Sequence, residues 1–241
     1  MPLICAQARE LGYGIELWSR LHGEEDVFGE VSRRGLADSL QGMNVSIHSA
    51  GLRTFNSHRS QIDVASQLGA KVIVFHPKEL AAADETVPHL PLIRDLVAYA
   101  AERGVRLALE NLHEEWHLAF LAEAARGVDG LGMCLDLGHV YTTRPPLAEY
   151  LAALGERIIH LHVHDLLAPD DLGLAGTVSQ HYEQHYLPGT GTIPAADWEL
   201  LVATLKRVDF QGTAVFEIRP RDPLQTALLG RRFLQRILDA Q

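Results

Sequence analysis

Lysine is nearly absent. Lys71, Lys78 and Lys206 are the only lysines among 21 basic residues, which face 31 acidic ones at a net charge of −10. That balance argues against a general affinity for nucleic acid, though it leaves room for a local basic groove. Cysteine is scarce as well. Cys5 and Cys134 lie far apart and form no CxxC pair, which fits a reducing, cytoplasmic setting with Cys134 as a core residue. No apolar run has the length of a membrane span, and the N-terminus lacks a basic-then-apolar signal pattern. No GxGxxG fingerprint follows any strand-like run, which weakens the case for a doubly wound open sheet. The expectation is a cytoplasmic protein away from membranes. Its 241 residues, 47% of them hydrophobic, suffice for one domain over residues 1–241 with a large core.

Short apolar runs are plentiful and evenly dealt. GIELW (14–18), NVSIHS (44–49), KVIVFHP (71–77), VRLALEN (105–111), LGMCLDLGH (131–139), RIIHLHVHD (157–165) and TAVFEI (213–218) are aliphatic or β-branched and end at Gly, Asn or Pro. They read as buried parallel strands. Helical patterns lie between them, at 58–70, 91–104, 147–156 and 197–210. Gly104 reads as a helix stop and Asp197 as an N-cap. The alternation predicts a parallel α/β fold, and the length suits a (β/α)8 barrel. Seven strands are legible rather than eight. The first is either missing or compressed into residues 2–6, ahead of a helix-like PLICAQAREL. A missing strand would leave costly unpaired edges.

The strands end in side chains that can hold metals: His48, His76, Glu110, Asp136 with His139, His162, and Glu217. Barrel active sites sit at these strand ends. Each residue alone has a plainer reading. His76 precedes a proline and can cap a turn, Asp136 can close an Asx turn, and a lone strand-end Glu217 can be a salt-bridge partner. Six strands ending in acid or imidazole are harder to treat as independent accidents, because buried charges are costly unless paired or metal-bound. Glu110, Asp136, His162 and Glu217 are therefore read as a divalent-metal site. In IIHLHVHDL (158–166), alternation puts His160, His162 and His164 on the interior face, with Leu161 and Val163 toward the helices. His162 is the ligand candidate. His164 and Asp165 are candidates for touching substrate or orienting a ligand, and His160 has no assigned role. Trp18, Phe75 and Trp116 are candidates for stacking on a sugar.

LALEN (107–111), CLDLGH (134–139), HVHD (162–165), LPGTGTI (187–193) and VFEI (215–218), in that order, resemble the xylose-isomerase-like barrel superfamily, which joins sugar isomerases and epimerases with endonuclease IV. The resemblance spans about residues 10–235. It implies one divalent metal (zinc, manganese, cobalt or magnesium) on Glu110, Asp136, His162 and Glu217, and no organic cofactor. It also implies that Glu110 and Glu217 face opposite sides of a sugar or sugar phosphate and move its proton, while His139 bonds a substrate oxygen. The endonuclease IV pattern implies a second reading, a multinuclear zinc phosphoesterase that adds His48, His76, His139, Glu183 and His185 as ligands. Glu183 stands where that pattern has an aspartate. The acidic balance, few lysines and short loops argue against a DNA substrate but not a small phosphodiester. A catalytically inactive barrel is the third class. Arg219 and Arg221 after the last strand are candidate phosphate contacts, and a homodimer through surface helices is the expected assembly.

Overall fold

Every one of the seven runs forms a strand. The structure, a computed structural model, describes residues 2–18, 30–49, 55–81, 85, 87–112, 116–167, 183–218 and 223–240. The chain divides into two units, Met1–Glu110 with Glu123–Met133, and Asn111–Ala122 with Cys134–Gln241.

In the first unit the strands β1 (Ile15–Trp18), β2 (Val45–His48), β3 (Val72–Phe75) and β4 (Arg106–Glu110) lie side by side in chain order, all parallel. The register sets Trp18 beside His48 and His48 beside Val74. β2 and β3 are buried throughout, and β4 from its second residue on. Burial on both faces explains why these strands read as continuous apolar runs. Helices α1 (Pro2–Glu10), α2 (Glu30–Leu40), α3 (Phe55–Gln67) and α4 (Leu90–Ala101) alternate with them. α4 buries Ile93, Leu96, Val97 and Ala100, one stripe of a 3.6-residue period. Gly104 at φ +71° closes it, and the Val105 N–H donates to Ala100 O at 3.0 Å in a Schellman-type stop. Residues 2–6 are helical, so no strand is compressed there. α1 instead buries Cys5 and Ala8.

α5 (His117–Gly127) and β5 (Gly132–Asp136) cross the division between the units. The second unit continues with α6 (Leu137–Val140), α7 (Leu147–Leu154), β6 (Ile158–Val163), β7 (Asp165–Leu167), β8 (Glu183–Tyr186), α8 (Ala195–Arg207), β9 (Thr213–Phe216) and α9 (Pro223–Ala240). β6 and β9 pair in parallel, with His162 beside Val215. β7 and β8 form an antiparallel ribbon that no sequence pattern announced. Asp197 is not the N-cap of α8. Pro194 holds that position, and Asp197, inside the first turn, accepts a hydrogen bond from the Tyr141 hydroxyl at 2.5 Å. No helix among the described residues is long and apolar enough to cross a membrane.

Candidate functional site

Two clusters of acids and imidazoles stand at strand ends, one in each unit. In the first unit, Glu110 ends β4 almost wholly buried, and its Oε2 receives two imidazoles: His48 Nε2 at 3.0 Å and His76 Nε2 at 3.1 Å. His48 Nδ1 lies 3.2 Å from Ser49 O and donates its proton there, since a carbonyl can only accept. His76 reaches the other way as well, with Nδ1 3.0 Å from Glu79 Oε1. Burial would lower the His76 pKa, but the charges and hydrogen bonds of Glu110 and Glu79 outweigh it and push it up to about 10. Glu79 is itself buried and accepts the Ser49 hydroxyl on its second oxygen. Trp18, half exposed, stacks on the His48 ring at 4.5 Å and 11°. Phe75 is fully buried against His58 and offers no face to a ligand, contrary to expectation.

In the second unit, Asp136 ends β5 with no exposure at all. Its Oδ1 caps α6 by accepting the His139 N–H at 2.8 Å, and its backbone is gripped by Asn111, which donates Nδ2–H to Asp136 O (2.9 Å) and accepts Asp136 N–H (2.8 Å). Burial alone would raise the Asp136 pKa. The neighbouring His139 and His164, with hydrogen bonds from His162 and His164, hold it far below the usual carboxylate range. His162 Nδ1 lies 3.2 Å from Glu217 Oε2 and 3.7 Å from Asp136 Oδ2. Asp136, His162 and Glu217 each turn one ligand atom to a common place, all within 4.8 Å of one another. Two carboxylates and an imidazole at this spacing match the donors of a divalent-metal site, and two buried acids gain most from a shared cation. His139 donates Nδ1–H to Asn111 O at 2.9 Å, which turns its Nε2 away from that carbonyl.

His164, His185 and Asp165 support this arrangement. His164 Nε2 lies 3.0 Å and 3.3 Å from the two Asp136 oxygens. His185 has φ +67°, a left-handed conformation that costs a non-glycine residue about 1 kcal/mol. Its Nδ1 donates to Glu217 O at 2.8 Å. Asp165, expected near substrate, is committed elsewhere: Oδ1 accepts Leu166 N–H and Ile193 N–H (2.8 and 3.1 Å), and Oδ2 accepts Gly189 N–H and Gly191 N–H (2.9 and 3.0 Å). These four bonds fill the carboxylate and fold LPGTGTI around it. A Cβ on Gly191 would sit 2.1 Å from Leu166 O, so the motif needs glycine there. His160 is buried, with its ring 5.4 Å from that of His162. Trp116 packs edge-on to His117 and Phe120. Arg219 and Arg221 lie outside the described residues, as does the side chain of Glu183.

Three contributors carried no assignment from sequence: Glu79, Asn111, and Gly138, where a Cβ would fall 1.9 Å from His164 Cε1. Glu79 is signalled by an acid one helical step after His76 in HPKEL, and Asn111 by its place directly after Glu110 in LALEN. Gly138 is signalled by the bare glycine in CLDLGH.

Residues 7–237 match the family model described as "Xylose isomerase-like TIM barrel". The chain is 27% identical over 172 residues to "Uncharacterized protein y4fM" of Sinorhizobium fredii, covering 66% of this chain and 50% of that one. It thus spans about half the length of that curated relative. Two solved structures share the fold. One is the TTHB071 protein of Thermus thermophilus soaked with ZnCl2, at TM-score 0.68 and 23% identity over 98% of this chain and 93% of that chain. The other is an L-ribulose 3-epimerase, at TM-score 0.69 and 15% identity over 98% and 87%.

Proposed function

The chain belongs to the xylose isomerase-like TIM barrel family, and from that premise we propose that it is a divalent-metal-dependent isomerase or epimerase of a sugar or sugar phosphate. The convergence of Asp136, His162 and Glu217 within 4.8 Å carries the reading. These three residues would hold the metal. The likeness to an L-ribulose 3-epimerase and to a protein soaked with zinc supports the substrate class and the cofactor.

Bound there, a divalent cation supplies Lewis acidity that loosens the C–H bond beside a chelated carbonyl. The chain's own residues do the rest. A carboxylate oxygen of Glu217 takes that proton. Return of a proton to the other face of the same carbon gives an epimer, and return to the neighbouring carbon gives an isomer. His139, whose Nδ1–H is committed to Asn111 O, offers Nε2 to a substrate oxygen.

The test is elemental analysis of protein purified without chelator, followed by incubation with ketoses in heavy water. One divalent ion per chain is expected, with deuterium entering beside the carbonyl and that entry abolished by Glu217→Gln. Undiminished exchange in Glu217→Gln would remove the acid–base assignment.

One observation favours a second reading. A single-metal proton-transfer enzyme has no need of both His48 and His76 on one oxygen of Glu110. A zinc-cluster phosphoesterase related to endonuclease IV does. Two or three zinc ions per chain, with hydrolysis of a small phosphodiester, would put that reading first.

A further inference from the structure

The ribbon of β7 and β8 stands outside the parallel strands, yet its residue His185 reaches the metal-ligand candidates. His185, in β8, donates its backbone N–H to His164 Nδ1 at 3.0 Å. That bond needs a lone pair on Nδ1, so the ring proton of His164 sits on Nε2. The competing approach, Asp165 O at 3.4 Å from Nδ1, is too long to displace it. The Nε2–H then points at Asp136 Oδ1 at 3.0 Å. The two imidazoles also stack, with centroids 4.6 Å apart and planes at 23°. The His185 ring continues past His164 and donates to the backbone oxygen of Glu217 at 2.8 Å. One residue of the ribbon therefore touches Glu217 directly and Asp136 through His164.

The space for this link is made by an omission. A Cβ on Gly138 would fall 1.9 Å from His164 Cε1 and 2.6 Å from both ring nitrogens. Only glycine at that place lets the imidazole lie against Asp136.

We infer that His164 is a positioning residue that couples the β7–β8 ribbon to Asp136, with His185 as the ribbon's contact and Gly138 as the void that admits the ring. The ribbon backbone fixes the proton on His164 Nε2, and that proton fixes the carboxylate plane of Asp136. Carboxylates that bind metals depend on such outer hydrogen bonds, whose loss typically weakens metal affinity about 10–100-fold. This inference rests on the proposed metal site.

The experiment uses the full chain with Mn2+ alone as probe and reads two quantities. One is Mn2+ affinity by calorimetry; the other is amide hydrogen exchange in residues 183–186, followed by mass spectrometry in chelator-treated protein. His164→Ala is expected to weaken Mn2+ binding about tenfold or more and to speed exchange in β8. Gly138→Ala should do both as well, by pushing the ring out. His164→Gln retains an N–H donor of similar reach and should recover part of the affinity, which a merely structural role would not produce. Wild-type Mn2+ affinity in both His164→Ala and Gly138→Ala overturns the inference and leaves the metal site standing. Unchanged exchange in His164→Ala overturns it too. If wild-type protein binds no divalent metal, the proposed function fails and takes this inference with it. That result cannot be confused with the first two.

Discussion

The cluster around Glu110 and the cluster around Asp136 use the same two chemical groups and balance them in different ways. In the first, the acids Glu79 and Glu110 meet His48 and His76. His76 faces a carboxylate at each nitrogen and satisfies both by carrying two protons. His48 turns Nδ1 to Ser49 O and Nε2 to Glu110. In the second, Asp136 and Glu217 share His162 Nδ1, while His164 sets Nε2 against Asp136 and its Nδ1 against the His185 N–H. His139 and His185 turn their Nδ1–H groups to backbone carbonyls. Two carboxylates that share one imidazole nitrogen would be held together by a common cation. Identical residue types thus make a proton-sharing network in one unit and, on the proposed function, the donors of a cation seat in the other.

The largest expected effect tests that division. Asp136→Ala should reduce Mn2+ affinity more than about 100-fold, beyond the typical cost of losing an outer hydrogen bond, whereas His76→Ala should cost less than about tenfold. Calorimetric titration of both variants compares them directly. Equal losses would erase the distinction and favour the multinuclear reading. A second, smaller effect concerns the framework. Asp165→Ala leaves four backbone N–H groups without their acceptor, and at least two of them are buried from easy rescue by water. A loss of roughly 3 kcal/mol is expected, read as a fall of about 6–12 °C in thermal midpoint for a chain of this size. A fall of under about 2 °C would mean that LPGTGTI holds its shape without the carboxylate.

Much of this is legible in the chain itself. The seven parallel strands are readable because strands such as β2, β3 and β5, buried on both faces, leave uninterrupted apolar runs. The strand-end acids and imidazoles are readable because a buried charge needs a reason. The antiparallel ribbon is not, since Asp165–Leu167 and Glu183–Tyr186 are too short to show a period, and their pairing depends on partners distant in sequence. Asp165 misleads for a related reason. An acid beside HVH looks like part of the reacting set, and only its four bonds to backbone N–H groups reveal a structural post. Gly138 is the clearest case of a signal whose meaning is spatial: its glycine is plain in CLDLGH, but the ring it makes room for belongs to His164, far along the chain. Phe75 fails as a stacking platform because alternation turns it away from the face of Val74 and toward His58 of α3.

The smallest expected effect is also the sharpest contrast in sign. His76 has its pKa raised from 6.5 to about 10, so its pairing with Glu110 and Glu79 contributes fully below pH 6.5 and is lost as pH rises through 10. Asp136 is shifted the other way. Its contribution is present above its ordinary value of 3.8 and is lost only on strong acidification. In chelator-treated protein, the alkaline loss of stability should therefore trace to the first cluster and the acid loss to the second. Glu79→Gln removes one of the two charges that raise His76. It should flatten the fall in thermal midpoint between about pH 7 and 10 and leave the acid limb where it was. Since His76 is about a quarter exposed, water screens the pairing, and the difference should be a few degrees at most. If Glu79→Gln moved the acid limb instead, the two clusters would share their protons, and the distinction between a proton-sharing network and a cation seat would have to be given up.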